Sequence, residues 1–318
     1  MTDSREPSVS SDVPLRIATR GSELALWQAH WVRDALRRVH GDALHVELVV
    51  VTTDGDRIQD RPLHEIGGKG LFVKAIEDRL LAGEAELAVH SMKDLPATMH
   101  DALVIAATPA REDPRDALVG PPGYALATLP AGTRVGTGSL RRAAMVARIN
   151  PGAVVVPLRG NVPTRVGKVD RGELDAVVLA GAGLRRLGLA ARVTEWIDAE
   201  LMCPAPTQGI LALQCRKHDA RTAALLAPLS DAQTAPRAAA ERALLQRLQA
   251  GCTVPVGAHA QWLDDGTLRV TGIVVGEGGE PFFRAERRGP GESAAALGAA
   301  VADALLGMGA DAVLAAAR

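Results

Sequence analysis

Two stretches of this chain repeat one pattern, and that repeat constrains the fold more than any other feature. Residues 79–90 read RLLAGEAELAVH and residues 168–180 read KVDRGELDAVVLA. Each runs from a helix end through a Gly-Glu turn into an apolar strand, and then opens into a polar loop. An apolar strand fed by a helix is a buried strand of a helix-covered sheet. Two such units imply two α/β domains facing one another across a cleft, with a ligand between them. A length of 318 residues fits two or three domains.

In the first unit, Leu15–Thr19 is a short strand that runs into Arg20-Gly21-Ser22. The helical spacing of 23–38 follows, with Ser22 placed as its N-cap and Arg20 beside the positive helix end. Such a corner can take a carboxylate or a phosphate, and it is equally an ordinary capped helix. His45–Val51 is a second strand. Gly67, Gly68, Lys69 and Gly70 form a loop ahead of a helix over 72–81, read as a mobile lid; its glycine spacing is not that of a Walker A loop. Leu87-Ala88-Val89 is the strand that ends in His90, Ser91, Met92, Lys93 and Asp94, with Pro96 stopping any regular continuation. Loops leaving the carboxyl ends of strands hold the ligands of open α/β sheets. Lys93-Asp94 is therefore placed for chemistry, although an isolated pair of this kind is more often a surface ion pair.

After the strand 103–107, TPAREDPR at 108–115 marks a hinge or domain boundary, and a second α/β unit begins. Thr133–Gly136 is a strand, Thr137-Gly138-Ser139 a turn, and 140–149 a helix with Arg141 and Arg142 in its first turn. Cations at an already positive helix end repel one another unless an anion lies between them. The strand 154–158 delivers Arg159, the helix 162–169 carries Arg165, and the strand 175–180 opens into a loop ending at Arg186. With Arg20, these arginines gather at strand ends and helix starts. Their planar forks suit carboxylates, so the expected substrate carries several. A Pro-broken crossing over 201–209 leads to the strand 210–215, which returns to the first unit.

From 234 the character changes to an alanine-rich helix over 238–248, a meander of strands at 258–263, 268–275 and 281–286, and helices over 292–306 and 310–317. The fold class is thus two type II α/β domains flanking a cleft plus a small α+β domain: 13–109 with 209–228, then 110–208, then 229–318, after a disordered tail over 1–12. Cys252 lies in a Gly-flanked loop of the last domain, where a thiol can be reached by an electrophile, though a lone loop cysteine is usually inert. A net charge of −1 and 3% aromatic residues argue against a nucleic-acid partner. No run reaches the length of a membrane span. Three cysteines without CxxC spacing fit a reducing cytoplasm, and the eight scattered histidines suggest no metal.

Taken together, ATRGSELALWQA, TTDGDRIQD, GGKGLFVKAIE, AVHSMKDLP, REDPRDALV, VGTGSLRRAAM, LRGNVPTRVGKVD, AGLRRLGL and GCTVPVGA resemble the porphobilinogen deaminases, from about Leu15 to the end of the chain. The resemblance implies two periplasmic-binding-protein-like domains with a third α+β domain. It implies a dipyrromethane cofactor joined by a thioether to Cys252, and a cytoplasmic, monomeric transferase of heme biosynthesis that condenses four porphobilinogen molecules into hydroxymethylbilane. It makes Asp94 the catalytic aspartate, and it assigns Arg20, Ser22, Lys93, Thr137, Ser139, Arg141, Arg142, Arg159, Arg165 and Arg186 to cofactor and substrate. The chain departs from the family pattern at Pro206-Thr207, where Val-Gly is frequent, at Gly138 in place of serine, and at Gln214 in place of glutamate. The rival readings are a two-lobed solute-binding module, which needs neither Asp94 nor Cys252, and a phosphate-ester transferase, which needs a metal.

Overall fold

The computed structural model describes residues 13–52, 73–250 and 254–317. The tail over 1–12, the expected lid at Gly67, Gly68, Lys69 and Gly70, and Cys252 all lie outside the described residues.

Strands β1 (Leu15–Arg20), β2 (Val46–Val51), β3 (Leu87–Ser91) and β4 (Leu103–Ala107) join β10 (Leu211–Arg216) in a sheet of order β2-β1-β3-β10-β4. Strands β5 (Asp116–Val119), β6 (Arg134–Thr137), β7 (Val154–Pro157), β8 (Ala176–Ala180) and β9 (Val193–Trp196) form a second sheet of order β7-β6-β8-β5-β9. The two orders are the same arrangement. In each, three strands run parallel and the fourth position is antiparallel to its neighbours, filled by β10 in one sheet and β5 in the other. Each is thus a mainly parallel α/β sheet with one antiparallel strand, as the repeated unit implies. The chain crosses between the sheets twice, over 108–115 and over 197–210.

Helix α1 (Glu23–His40) covers one face of the first sheet, where Ala29, Val32 and Leu36 pack on Ile17, Leu87, Val89 and Leu213. Its Ser22 cap accepts from Ala25 N at 3.4 Å, and Gly41 ends it at φ 80°, a conformation that a side chain would strain. Helix α2 (Lys74–Leu81) covers the other face through Ile76 and Leu80 on Ala18 and Ala88. The second domain is built likewise, with α3 (Leu140–Ile149), α4 (Val162–Asp170) and the short α5 (Gly181–Arg186). Residues 181–186, expected as a loop, are helical despite two glycines. At Gly181 an added Cβ would lie 2.5 Å from the Trp196 ring and 2.9 Å from Arg115 O, so close packing overrides local propensity.

Helix α6 (Ala220–Leu226) completes the first domain. The third holds the antiparallel sheet β11 (Val256–Trp262), β12 (Leu268–Val275) and β13 (Phe282–Gly289), with α7 (Thr234–Arg247), α8 (Ala294–Gly307) and α9 (Ala310–Ala316). Leu244, Val301 and Leu305 close its core on Val270 and Val274, while Ile273 and Val275 turn toward Val146 and Met202 of the second domain. Among the described residues, no single helix is long and apolar enough to cross a membrane.

Candidate active site

Every expected site residue within the described residues but Arg186, which ends its helix, sits at or just beyond the carboxyl end of a strand, or at the start of the helix that follows. Arg20 ends β1 and Ser22 caps α1, while Lys93 and Asp94 lie in the 3-10 turn after β3. Thr137 ends β6 and Ser139 caps α3, accepting from Arg142 N at 3.5 Å. Arg159 follows β7, Arg165 lies on α4 and Arg186 on α5. The residues come from both sheets, which is how an α/β cleft is lined.

A cavity of about 70 Å³ opens at the first sheet, walled by Arg20, Ser22, Gln28, His90, Ser91 and Asp94 on its polar side and by Leu24, Val73, Ile76 and Val89 on its apolar side. Gln28 Nε2 donates to Ser91 Oγ at 2.9 Å, tying α1 to the end of β3. Asp94 itself is exposed, so its carboxylate is presented to whatever enters.

Beneath it lies a buried polar cluster that sequence reasoning missed in part. Asp116, with no exposure, accepts from Arg141 Nη2 at 2.7 Å, Arg142 Nε at 3.0 Å and Gln208 Nε2 at 2.9 Å. Gln208 in turn accepts from Arg142 Nη2 at 3.1 Å and from Lys93 Nζ at 3.4 Å. Burial pushes the Asp116 carboxyl up, but Arg141 and Arg142 more than reverse this and hold it at about 2. The anion that two arginines at a helix start require is therefore this chain's own carboxylate, at the head of β5. Arg141, 2% exposed, also donates Nη1 to Cys203 O at 2.7 Å, and its Nε is buried with no hydrogen-bond partner. The signal for Asp116 was REDPRD itself, whose last acid precedes an apolar run too short to show alternation.

The cations nearest Asp94 strain against one another. Burial, and then Arg142, bring Lys93 down to about 8 against the pull of Asp94 and Asp116. Burial, and then Arg142, bring Arg165 to about 10, with Asp94 opposing and Arg159 adding to the fall. Arg165 Nε donates to Gly160 O at 2.7 Å, and Arg186, brought to about 10 by burial, donates Nη2 to Gly209 O at 2.7 Å. A group of cations depressed by one another is a site that gains by taking an anion. Among the described residues there is no group of three or more His, Cys, Asp or Glu that could hold a metal.

Two departures from the family pattern have structural counterparts. A Cβ on Gly138 would meet Leu158 O at 2.5 Å, so this backbone has no room for the more frequent serine. Thr207 has φ 60°, the left-handed region that glycine occupies freely, and its N–H donates to Glu241. Cys203 and Cys215 are buried, and burial pushes the Cys203 thiol up to about 12, removing both from thiolate chemistry at neutral pH.

The family model described as "Porphobilinogen deaminase, dipyromethane cofactor binding domain" matches residues 15–224. The one described as "Porphobilinogen deaminase, C-terminal domain" matches 235–307. A curated porphobilinogen deaminase from Syntrophotalea carbinolica is 48% identical over 306 residues, covering 96% of each chain. Among solved structures, the methionine-binding protein MetQ aligns at 14% identity and a TM-score of 0.44, over 71% of this chain and 94% of its own. The aliphatic sulphonate binding protein SsuA from Escherichia coli aligns at 16% and 0.39, over 75% and 71%. On the family models and the curated relative, the chain belongs to the porphobilinogen deaminase family.

Proposed function

We propose that this chain condenses four porphobilinogen molecules head to tail on a dipyrromethane primer, losing one ammonia per step, and releases hydroxymethylbilane by hydrolysis. The primer is held by a thioether to Cys252, the one cysteine of the three that is not a buried thiol of the described residues. The observation that carries the reading is one exposed carboxylate, Asp94, at a strand end among cations from both domains, within a chain that matches the deaminase models along most of its length.

When bound, the dipyrromethane supplies the nucleophilic terminal pyrrole carbon. Lys93 and Arg165 offer hydrogen bonds and charge, and Arg142, held on Asp116, charge alone, to carboxylates, which a growing pyrrole chain accumulates in pairs. Arg20 and Ser22, on the wall of the Asp94 cavity, orient the incoming acetate or propionate. Asp94 accepts the pyrrole N–H of the substrate and stabilises the methylene-pyrrole cation left by ammonia. Thr137 and Ser139 fix the start of α3, and Asp116 holds Arg141 and Arg142 in place from below. The lid reading of Gly67, Gly68, Lys69 and Gly70 adds a cover that excludes water from that cation. The enzyme works as a cytoplasmic monomer, on a small molecule and without nucleic acid or membrane. Incubation of the purified protein with porphobilinogen tests this: the account requires ammonia release together with hydroxymethylbilane, and binding without turnover would refute it.

A further inference from the structure

Three side chains outside the roles above form a hydrogen-bonded line into the Asp94 cavity. His90 Nε2 lies 3.0 Å from Gln214 Oε1, and Gln214 Nε2 lies 2.7 Å from Glu77 Oε1. Gln214 is wholly buried and His90 is 6% exposed. Gln214 pairs with Ala88 across β3 and β10, two residues from His90, so the two polar side chains are diagonal neighbours on one face of the sheet. Helix α2 packs on that face and brings Glu77 down to them.

The polarity of this line is set from its far end. An amide nitrogen only donates, and Gln214 turns its Nε2 toward the Glu77 carboxyl oxygen. The same Nε2 also lies 3.8 Å from Met99 Sδ, a second acceptor. Its Oε1 then faces His90, and an oxygen facing a ring nitrogen requires that nitrogen to carry the hydrogen. We infer that Glu77 and Gln214 are positioning residues that hold His90 as a neutral imidazole protonated on Nε2, and so remove it from the proton transfers of the reaction.

Burial supports the neutral form, bringing His90 down to about 4 against the opposing pull of its Gln214 bond. The charged groups around it are Arg20 from β1 and Asp94 from the turn after β3, which share its cavity, and Glu77 from α2. His90 therefore adds no charge to the cavity across neutral pH, and the proton taken by departing ammonia comes from another group. Nδ1 remains an acceptor on a ring that walls the cavity.

Only the kinetic arm of the test rests on the deaminase reading. In protein labelled with 15N-histidine, with His90 assigned by comparison with His90→Gln, the ring should show the Nε2–H tautomer unchanged between about pH 5.5 and about pH 9. Gln214→Glu places a carboxylate against the ring, and its proton affinity should rise at least about tenfold, with a new ionisation in the kcat/KM profile. Gln214→Leu should let both tautomers appear. A wild-type His90 that titrates near pH 6.5, or that carries its hydrogen on Nδ1, overturns the inference even if both Gln214 variants unfold. Should the protein lack turnover, the spectra still decide the tautomer, so the two readings fail separately.

Discussion

Arg111 and Glu241 form a two-pronged ion pair, Nη1 to Oε1 at 2.6 Å and Nη2 to Oε2 at 3.2 Å, where the crossings meet the third domain. Their side chains are 2% and 0% exposed. Arg111 stands in the first crossing and also donates Nε to Gln208 O in the second, at 2.9 Å. Glu241, on α7, accepts in addition from the N–H groups of Thr207 and of Ala260 on β11, the latter at 2.7 Å. One carboxylate thus ties both crossings to the third domain, the domain that carries Cys252.

Removing one partner leaves the other charged and buried, so Glu241→Ala should cost about 3–5 kcal/mol of stability. Urea unfolding followed by circular dichroism measures it. A loss below about 1 kcal/mol would mean that the pair is replaced without strain.

Thr207 is the opposite case, a residue in a conformation that favours another. A β-branched residue at φ 60° costs on the order of 1–2 kcal/mol. Thr207→Gly should therefore raise stability by about 1 kcal/mol, even though it gives up the 2.7 Å Thr207 Oγ1 to Pro206 O bond. An unchanged or lower unfolding midpoint would show that this bond outweighs the backbone strain.

Acid should unfold the protein in two stages. Burial holds His90 at about 4, and burial with Arg111, Arg269 and Arg237 holds His259 at about 3, both from 6.5. As pH falls through 6.5 the unfolded chain takes up protons that the folded chain refuses, so stability drops until about 4 for His90 and about 3 for His259. Asp116 adds a second loss between 3.8 and about 2, where its pairing with Arg141 and Arg142 is titrated away. His90→Gln should flatten the upper part of the curve. An equally steep wild-type and His90→Gln dependence between those limits would contradict the assignment.

Asp94 is exposed, so Asp94→Ala should leave the unfolding midpoint within about 0.5 kcal/mol of wild type. Bilane formation should fall by about 100-fold or more, since a fixed charge beside a developing cation is lost. Asp94→Glu keeps the charge and misplaces it, and should retain more activity than Asp94→Ala. Near-normal turnover by Asp94→Ala would take this carboxylate out of the mechanism.

The architecture was legible because β2, β3 and β8 each announce themselves as largely apolar runs that end in polar loops. Strand β5 was not, because its four residues are buried on both faces and show no alternation. The half-buried VTEW of β9 is as short and carries no turn signal of its own. Repulsion between Arg141 and Arg142 was read as the mark of a bound ligand anion, whereas the carboxylate that meets them is the chain's own Asp116, 25 residues from Arg141, which a one-dimensional reading cannot place there. Arg142, Arg165 and Lys93 could be singled out in the sequence by their places at strand and helix ends. Gln208 and Gln214 were not, since a glutamine declares its role only through what it touches.

The covalent primer is the central claim, and the intact mass of freshly purified protein tests it most directly. Cys203 and Cys215 are buried, which leaves Cys252 as the expected attachment point. The account predicts a mass above that of the polypeptide by two linked pyrrole units, resistant to denaturant with strong reductant because a thioether is not exchanged as a disulfide is. The excess should map to the peptide carrying Cys252, vanish in Cys252→Ser, and grow by single-pyrrole steps on brief exposure to porphobilinogen. Active protein whose mass equals that of the bare polypeptide would contradict it.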